Sequence, residues 1–316
     1  LNRIQNIQRI AEEVDGAIVA PGEVFSLNAY VGQRTIDDGY ASAGAIIGDE
    51  VYCCDHPANI GGGVSQFTTT LYNAVFWSGL EDVEHTPHTL YFPRYPMGRE
   101  ATLGWPTPDL KFRNNTDSSL LIDTESTDTS VTVRFYGDNG GIEVEGSLSD
   151  QRFFTEPPDK YKGDETIPPG EEEVDDQGQP GFTVTVYRTI TYPDGSTTEE
   201  FWDWRYDPFP KIILVHPCEL PEDSDDYEEF GDVPCPIQVP DVLGLPVAEA
   251  TTILNNAGVF IATGEPFLVS DEALVGTVRT QDPAPDEWID LEETVTVRVG
   301  QLDPNATTTT TTTTQP

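Results

Sequence analysis

Three consecutive glycines and then a hydroxyl, Gly61-Gly62-Gly63-Val64-Ser65-Gln66, run straight into an amphipathic stretch. No other segment gives the backbone such freedom. Residues without a β-carbon let the chain approach a neighbour closely or take positive φ angles closed to other residues. Behind the ramp, Phe67, Leu71, Ala74 and Val75 fall at i, i+4, i+7 and i+8, one face of a helix. Gly79 stands where a helix C-terminus favours glycine. The pattern predicts a helix whose first turn carries Ser65, either as an N-cap or as a nucleophile reached over the glycines.

The chain has 316 residues, enough for two or three domains. Its 37% hydrophobic and 10% aromatic content supports real cores. There are 56 acidic against 16 basic side chains, for a formal charge of −40. Only Lys111, Lys160, Lys162 and Lys211 are lysines. Such a chain repels nucleic acid and anionic membrane surfaces and fits a salty habitat that screens its self-repulsion. No apolar run reaches membrane-spanning length, and no signal peptide is visible. Residue 1 is Leu and residues 2–14 already read as a helix, with Ile4, Ile7, Ile10, Ala11 and Val14 on one face. The expectation is a processed form or fragment, anchored by a region upstream.

Composition divides the chain. Residues 1–140 read as an α+β unit with one main helix against antiparallel strands such as Val131-Val133-Phe135. Residues 141–217 read as a β-rich module. Within it, 164–176 is an acidic loop, Phe182–Val186 alternates, Tyr192-Pro193-Asp194-Gly195-Ser196 is a turn, and strands follow at Phe201–Trp204 and Lys211–Val215. Residues 219–232 hold eight acidic and no basic side chains, which predicts a solvated, extended linker over 218–236. Residues 237–300 form a compact unit. Its helix opens at Pro246, buries Val247, Ala250, Ile253, Leu254 and Ala257, and ends at Gly258. The Thr-rich tail, 301–316, cannot bury a core and reads as disordered; Asn305-Ala306-Thr307 matches the glycosylation pattern.

Four cysteines complete the inventory. Cys218 and Cys235 bracket the acidic segment. A bridge between them is the favoured reading, adding on the order of 3 kcal/mol for a loop of that span. Cys53-Cys54-Asp55-His56 is packed too tightly for usual structural zinc spacing, so it reads as a surface loop with local thiols or a vicinal disulfide. No metal and no cofactor are expected.

Two resemblances rest on these residues. Val239-Pro240-Asp241-Val242, the Val247–Ala257 helix with Gly258-Val259, Gln281-Asp282-Pro283-Ala284-Pro285 and the Val295–Gly300 strand resemble a PASTA domain. That resemblance implies a small extracytoplasmic β-α-β-β module and a bacterial cell-wall setting, with peptidoglycan or a muropeptide as partner. Residues 1–137 resemble the VanW-like family through Pro21-Gly22-Glu23-Val24-Phe25-Ser26, Gly39-Tyr40, the glycine ramp to Gln66, Leu71-Tyr72-Asn73, His88, Tyr95-Pro96, Gly98-Arg99-Glu100-Ala101-Thr102, Asp109-Leu110, Phe112 and Asn114. Many members carry Cys where this chain has Ser65 and Asp where it has Glu100, departures that speak against a thiol mechanism. The middle module resembles what often follows such domains, including glycine-rich adhesion-type modules. The fold class is therefore α+β multidomain.

Two function classes stay open. The first is a secreted or surface-exposed wall-associated protein that binds or scaffolds. Its ligand groups would be Gly61, Gly62, Gly63, Gln66, His85, Arg94 and Arg99; for a wall-peptide substrate, Arg94, Arg99, Lys111 and Arg113 form a cationic cluster suited to stem-peptide carboxylates. The second is a serine-dependent hydrolase or acyl transferase, similar to transglutaminase-like and papain-like enzymes. It would use Ser65 at the helix start, His88 on a later strand as base (His85 in reserve) and Glu100 as carboxylate, with Gln66 and glycine amides at an oxyanion. A calcium-dependent adhesin lacks any recognisable oxygen-ligand loop.

Overall fold

The computed structural model describes residues 2–47, 50–52, 60–230 and 233–305. The Cys53-Cys54-Asp55-His56 cluster and the threonine run lie outside them. Two compact units emerge: Leu1–Pro158 with Gly178–Pro210, and Asp159–Gln177 with Lys211–Pro316. The β-rich middle of the chain is thus divided between them. Among the described residues, no helix is long and apolar enough to cross a membrane.

In the first unit, helix α1 (Asn2–Val14) buries Ile10, Ala11 and Val14, as its periodicity predicts, but also Asn6. The short α2 (Leu27–Val31) is capped by Ser26, whose hydroxyl accepts from the Ala29 amide. Helix α3 (Val64–Trp77) carries the predicted apolar face. Phe67, Leu71, Val75 and Phe76 are fully buried in the core shared with α1, each contributing at most about 1.5–3 kcal/mol of transfer free energy. Gly79, at φ +68°, follows the last turn in the left-handed conformation that glycine adopts without penalty.

Three antiparallel sheets lie against or beside these helices. Leu120–Ser126 pairs with Ile18–Val19 and Val131–Tyr136. Lys111–Arg113 pairs with Val24–Ser26 and Glu81–Glu84. The third sheet centres on Gly181–Thr191, flanked by Thr197–Tyr206 on one side and by Glu143–Leu148 and Arg152–Thr155 on the other. Its Val186, Trp202 and Trp204 join the α3 core.

One buried cation fastens this last sheet to α3. Arg188 donates from Nη1 to the Phe76 carbonyl (3.2 Å) and from Nη2 to the Leu80 carbonyl (3.1 Å), while Nε binds Glu200 at 2.6 Å. The Phe76 carbonyl belongs to the last turn of α3, at the negative end of its dipole, and the Leu80 carbonyl to the chain just beyond it, so the guanidinium favours the helix end and ties the exit segment to the sheet.

In the second unit, Lys211–Val215 runs parallel to Asp159–Gly163 and antiparallel to Glu172–Asp176. The predicted acidic loop at 164–176 therefore ends in a strand. The predicted extended linker is structured as well. Leu220 is buried with Ile213 and Val215, and Tyr227 and Phe230 of the short α4 (Tyr227–Phe230) pack on them. Apolar residues set among the acids supply a small core that net charge conceals, and a disulfide joins Cys218 to Cys235.

Further along, Thr294–Leu302 is the central strand of a sheet with Phe260–Thr263, Phe267–Val269 and Val278–Asp282. Helix α5 (Val247–Asn256) buries Ala250 and Leu254 beside Val278, Val295 and Val297. Pro246 takes the N-cap position, one residue before the place predicted for it.

Candidate functional site

The glycine ramp works as a wedge. Gly63 occupies the N-cap of α3 at φ +102°, with no side-chain cap. A β-carbon on Gly62 would sit 2.3 Å from the Ala43 carbonyl oxygen, so backbone meets backbone there. Asn6 holds the contact from the α1 side: its Nδ2 donates to the carbonyls of Ala41 (2.8 Å) and Gly62 (2.9 Å), and its Oδ1 accepts from the Ala41 amide (2.7 Å). Ser65 is consequently not the cap. It is the second helical residue, because the left-handed Gly63 starts the helix earlier, and its Oγ accepts from the Leu103 amide at 3.3 Å.

His88 lies in the irregular segment after Glu81–Glu84 rather than on a strand, since Pro87 interrupts the run. Its Nδ1 meets Oε2 of Glu100 at 2.5 Å, and Glu100 is 0% exposed. A carboxylate only accepts, so it favours the proton on Nδ1 and leaves Nε2 as the lone-pair nitrogen. The other carboxylate oxygen, Oε1, accepts from the Tyr206 hydroxyl at 2.8 Å, which in turn accepts from the Gly98 amide at 2.7 Å. Burial, and next the neighbouring Glu100, push the Tyr206 hydroxyl well above its ordinary value, so it stays a donor. The His88 ring stacks on Tyr95 at 4.9 Å and 10°.

Ser65, His88 and the three glycines line one cavity of about 940 Å³. Arg3, Arg34 and Arg94 also line it, as do Phe92, Tyr95 and Trp105. Arg34 is 7% exposed, and desolvation holds its guanidinium below the usual arginine range. Its Nη1 donates to Asn28 Oδ1 (2.5 Å) and the Gly32 carbonyl (2.9 Å), and the group lies 5.8 Å from the Trp105 ring centre. Arg3 donates to the Tyr95 hydroxyl at 3.3 Å, and Arg94 sits over Phe92 and Tyr95. No hydrogen bond joins Ser65 Oγ to His88, and Glu100 stands behind the imidazole rather than in the cavity wall.

Other predicted residues fall elsewhere. His85 is a core group: Nδ1 pairs with Asp82 at 2.6 Å, and its ring stacks on Tyr72 at 3.9 Å beside Trp204. Gln66 and Arg99 do not line the cavity, and Arg99 covers Phe76 and Trp77 instead. The expected cationic patch does not assemble. Lys111 pairs with Glu84 (2.6 Å) and Asp109 (3.8 Å), and Arg113 with Glu81 (3.0 Å), since neighbouring strands put acids opposite them. Sequence reasoning missed Arg3, Arg34, Trp105 and Tyr206. Only Tyr206 carried a signal, as the last of the alternating aromatics Trp202, Trp204 and Tyr206.

Comparison with known proteins gives three family matches: VanW like protein over residues 2–136, G5 domain over 153–202 and PASTA domain over 237–301. The chain is similar to the uncharacterized protein YoaR of Bacillus subtilis (strain 168), 37% identical over 135 residues. The match covers 43% of each chain, so it spans under half the length of that relative. Among solved structures, HP0197-G5 is 14% identical over 23% of this chain and 96% of its own. The IgA1 protease G5 domain is 15% identical over 24% and 90%. Both have a TM-score of 0.15, too low to carry an argument. This is a multidomain α+β protein with a VanW-like domain, a G5 domain and a PASTA domain, a combination that fits a cell-wall-associated protein.

Proposed function

We propose that this protein acts outside the cytoplasm as a wall-associated binding protein. Its PASTA domain recognises peptidoglycan, and its VanW-like domain holds a ligand in the cavity at the head of α3. The observation that carries the reading is the cavity itself. A pocket of about 940 Å³ is built on a wedged glycine turn and a histidine fixed from behind by Glu100, in a chain that also carries PASTA and G5 domains. Pockets of this size suit small ligands. A charge of −40 excludes attraction to wall polyanions as the source of retention. The full chain is therefore expected to sediment with purified, insoluble peptidoglycan at physiological salt and to remain bound as salt rises. A chain left in the supernatant would overturn the reading.

A second reading is supported by Ser65 and His88 sharing the cavity with Glu100 behind the imidazole. It is a serine-dependent hydrolase or acyl transferase acting on wall peptides. The Ser65 hydroxyl, however, accepts from Leu103 and makes no bond to His88. Ser65→Ala separates the two. Release of peptide fragments that disappears in the variant supports the enzyme; unchanged wall retention with no turnover in either protein supports binding.

A further inference from the structure

We propose that the α3 cavity takes the free C-terminal carboxylate of a short peptide, clamped by Arg3, Arg34 and Arg94. This rests on the binding reading above and names its ligand class.

The argument starts from charge. With 56 acidic and 16 basic side chains, a cation in this chain has many carboxylates to choose from, and most cations take one. Arg9, Lys111, Arg113, Arg134 and Arg188 all do. Arg3, Arg34 and Arg94 form no ion pair among the described residues, yet all three line the same cavity. Arg34 is buried and, among the described residues, uses only Nη1, on two neutral oxygens. Its Nε and Nη2 remain to donate, the fork that matches a carboxylate. Desolvation outweighs Asp109 and Glu13, which favour the charge only through space, without an ion pair, so a carboxylate arriving in direct contact offsets a cost that they leave.

Two further features point the same way. Helix α3 is 14 residues long and begins in the cavity wall with no side chain capping it; its Val64 and Gln66 amides already donate to the Gly61 and Gly63 carbonyls, so it offers an incoming anion the positive end of its dipole rather than a set of free amides. His88, 7% exposed and held through Nδ1, brings the lone-pair Nε2 to the same wall, an acceptor that suits the peptide N–H beside the carboxylate rather than the carboxylate itself. Phe92, Tyr95 and Trp105 supply apolar and aromatic surface for the side chains next to the carboxylate.

The field of the whole chain selects among anions. A polyanion would be repelled along its length by a protein of charge −40. A single terminal carboxylate meets only the local cations. A cavity of about 940 Å³ accommodates two or three residues.

The test uses the full chain, titrated calorimetrically with N-acetyl-alanyl-alanine in both enantiomeric forms, with its C-terminal amide, and with inorganic phosphate. The acid of one enantiomer is expected to bind at least about tenfold more tightly than its amide or phosphate, the loss of one charge-assisted contact. Arg94→Gln, at the exposed rim, is expected to weaken the acid about tenfold with far-UV circular dichroism unchanged, and Arg34→Lys to weaken it further. Equal affinity for acid and amide overturns the proposal. So does phosphate binding as tightly as the acid, or no binding of either enantiomer up to about 10 mM, far weaker than specific recognition. Peptidoglycan sedimentation of the same samples reports the wall-binding reading separately, because the PASTA domain can retain a chain whose cavity ignores carboxylates.

Discussion

The Tyr206 hydroxyl donates to Glu100 Oε1 at 2.8 Å across 106 residues of sequence. The strand that ends the third sheet thereby reaches the carboxylate that holds His88. The VanW-like match ends at residue 136, so this donor comes from outside it. Tyr206→Phe keeps the ring and removes only the hydroxyl. It leaves the buried Glu100 oxygen without its donor and the Gly98 amide without its acceptor. The expected loss is about 2–4 kcal/mol by chemical denaturation, since each buried unpaired group costs about 1–3 kcal/mol. Combining it with Glu100→Gln should show coupling on the order of 1 kcal/mol or more. Additive losses would mean that the contact carries little.

Alkaline pH should unfold the first unit. Burial raises the hydroxyls of Tyr40, Tyr72 and Tyr206 above their ordinary value near 10, and each also faces a carboxylate: Glu13, Asp82 and Glu100 respectively. The folded chain therefore keeps three protons that the unfolded chain releases above about pH 10. Their stabilisation is intact below that pH and falls above it, by up to about 1.4 kcal/mol per pH unit for each tyrosine. Ultraviolet titration should show these three phenols ionising only together with loss of near-ultraviolet dichroism. Early, reversible ionisation of all 12 tyrosines without unfolding would contradict this.

Local pattern made the helices readable and left the cavity half hidden. Apolar spacing marked α1 and α3, and alternation marked the strands around Val133 and Val184, because each signal lies within a few residues. The start of α3 was misplaced because φ at Gly63 is a backbone property that a Ser at position 65 outweighs in any capping rule. The pairing of His88 with Glu100 was anticipated only through a family likeness. Arg3 and Arg34 escaped notice because they reach the site from α1 and from the loop after α2, and a cation shows itself as unpaired only once its neighbours are known. Lys111 and Arg113 looked like ligand groups for the converse reason: Glu84 and Glu81 sit beside them through strand pairing, which charge counting cannot see.

The wedge predicts an unusually severe alanine. Gly62→Ala would drive a methyl to 2.3 Å from the Ala43 carbonyl oxygen, and a backbone atom cannot swing aside as a side chain can. Asn6 ties both strands of that contact, so relief would break its hydrogen bonds. The expected loss is about 3 kcal/mol, the upper part of the overpacking range, with α3 displaced from the cavity. By contrast, Gly140→Ala, where nothing lies within 4 Å but φ is +69°, should cost only about 1 kcal/mol from the left-handed backbone. Equal losses by thermal denaturation would refute the role given to close approach.

Arg188 tests whether the third sheet is structurally part of the VanW-like unit. Its guanidinium is 1% exposed, closes the carbonyls of Phe76 and Leu80, and lies against the Phe76 and Trp202 rings at 5.3 Å. Arg188→Ala removes the charge, the two carbonyl contacts and the stem that fills the space between α3 and the sheet. Glu200 loses its partner but is one-third exposed, so water can solvate it and most of the cost falls on the helix end and the vacated volume. About 3 kcal/mol is expected. If the sheet were a separate domain, its own amides would lose hydrogen-exchange protection while those of α3 kept theirs. If the two form one cooperative unit, protection falls together along α3 and Gly181–Thr191, and the Glu100 contact to Tyr206 weakens with them. The buried position of Arg188 and the shared core of α3, Val186 and Trp202 require the second outcome.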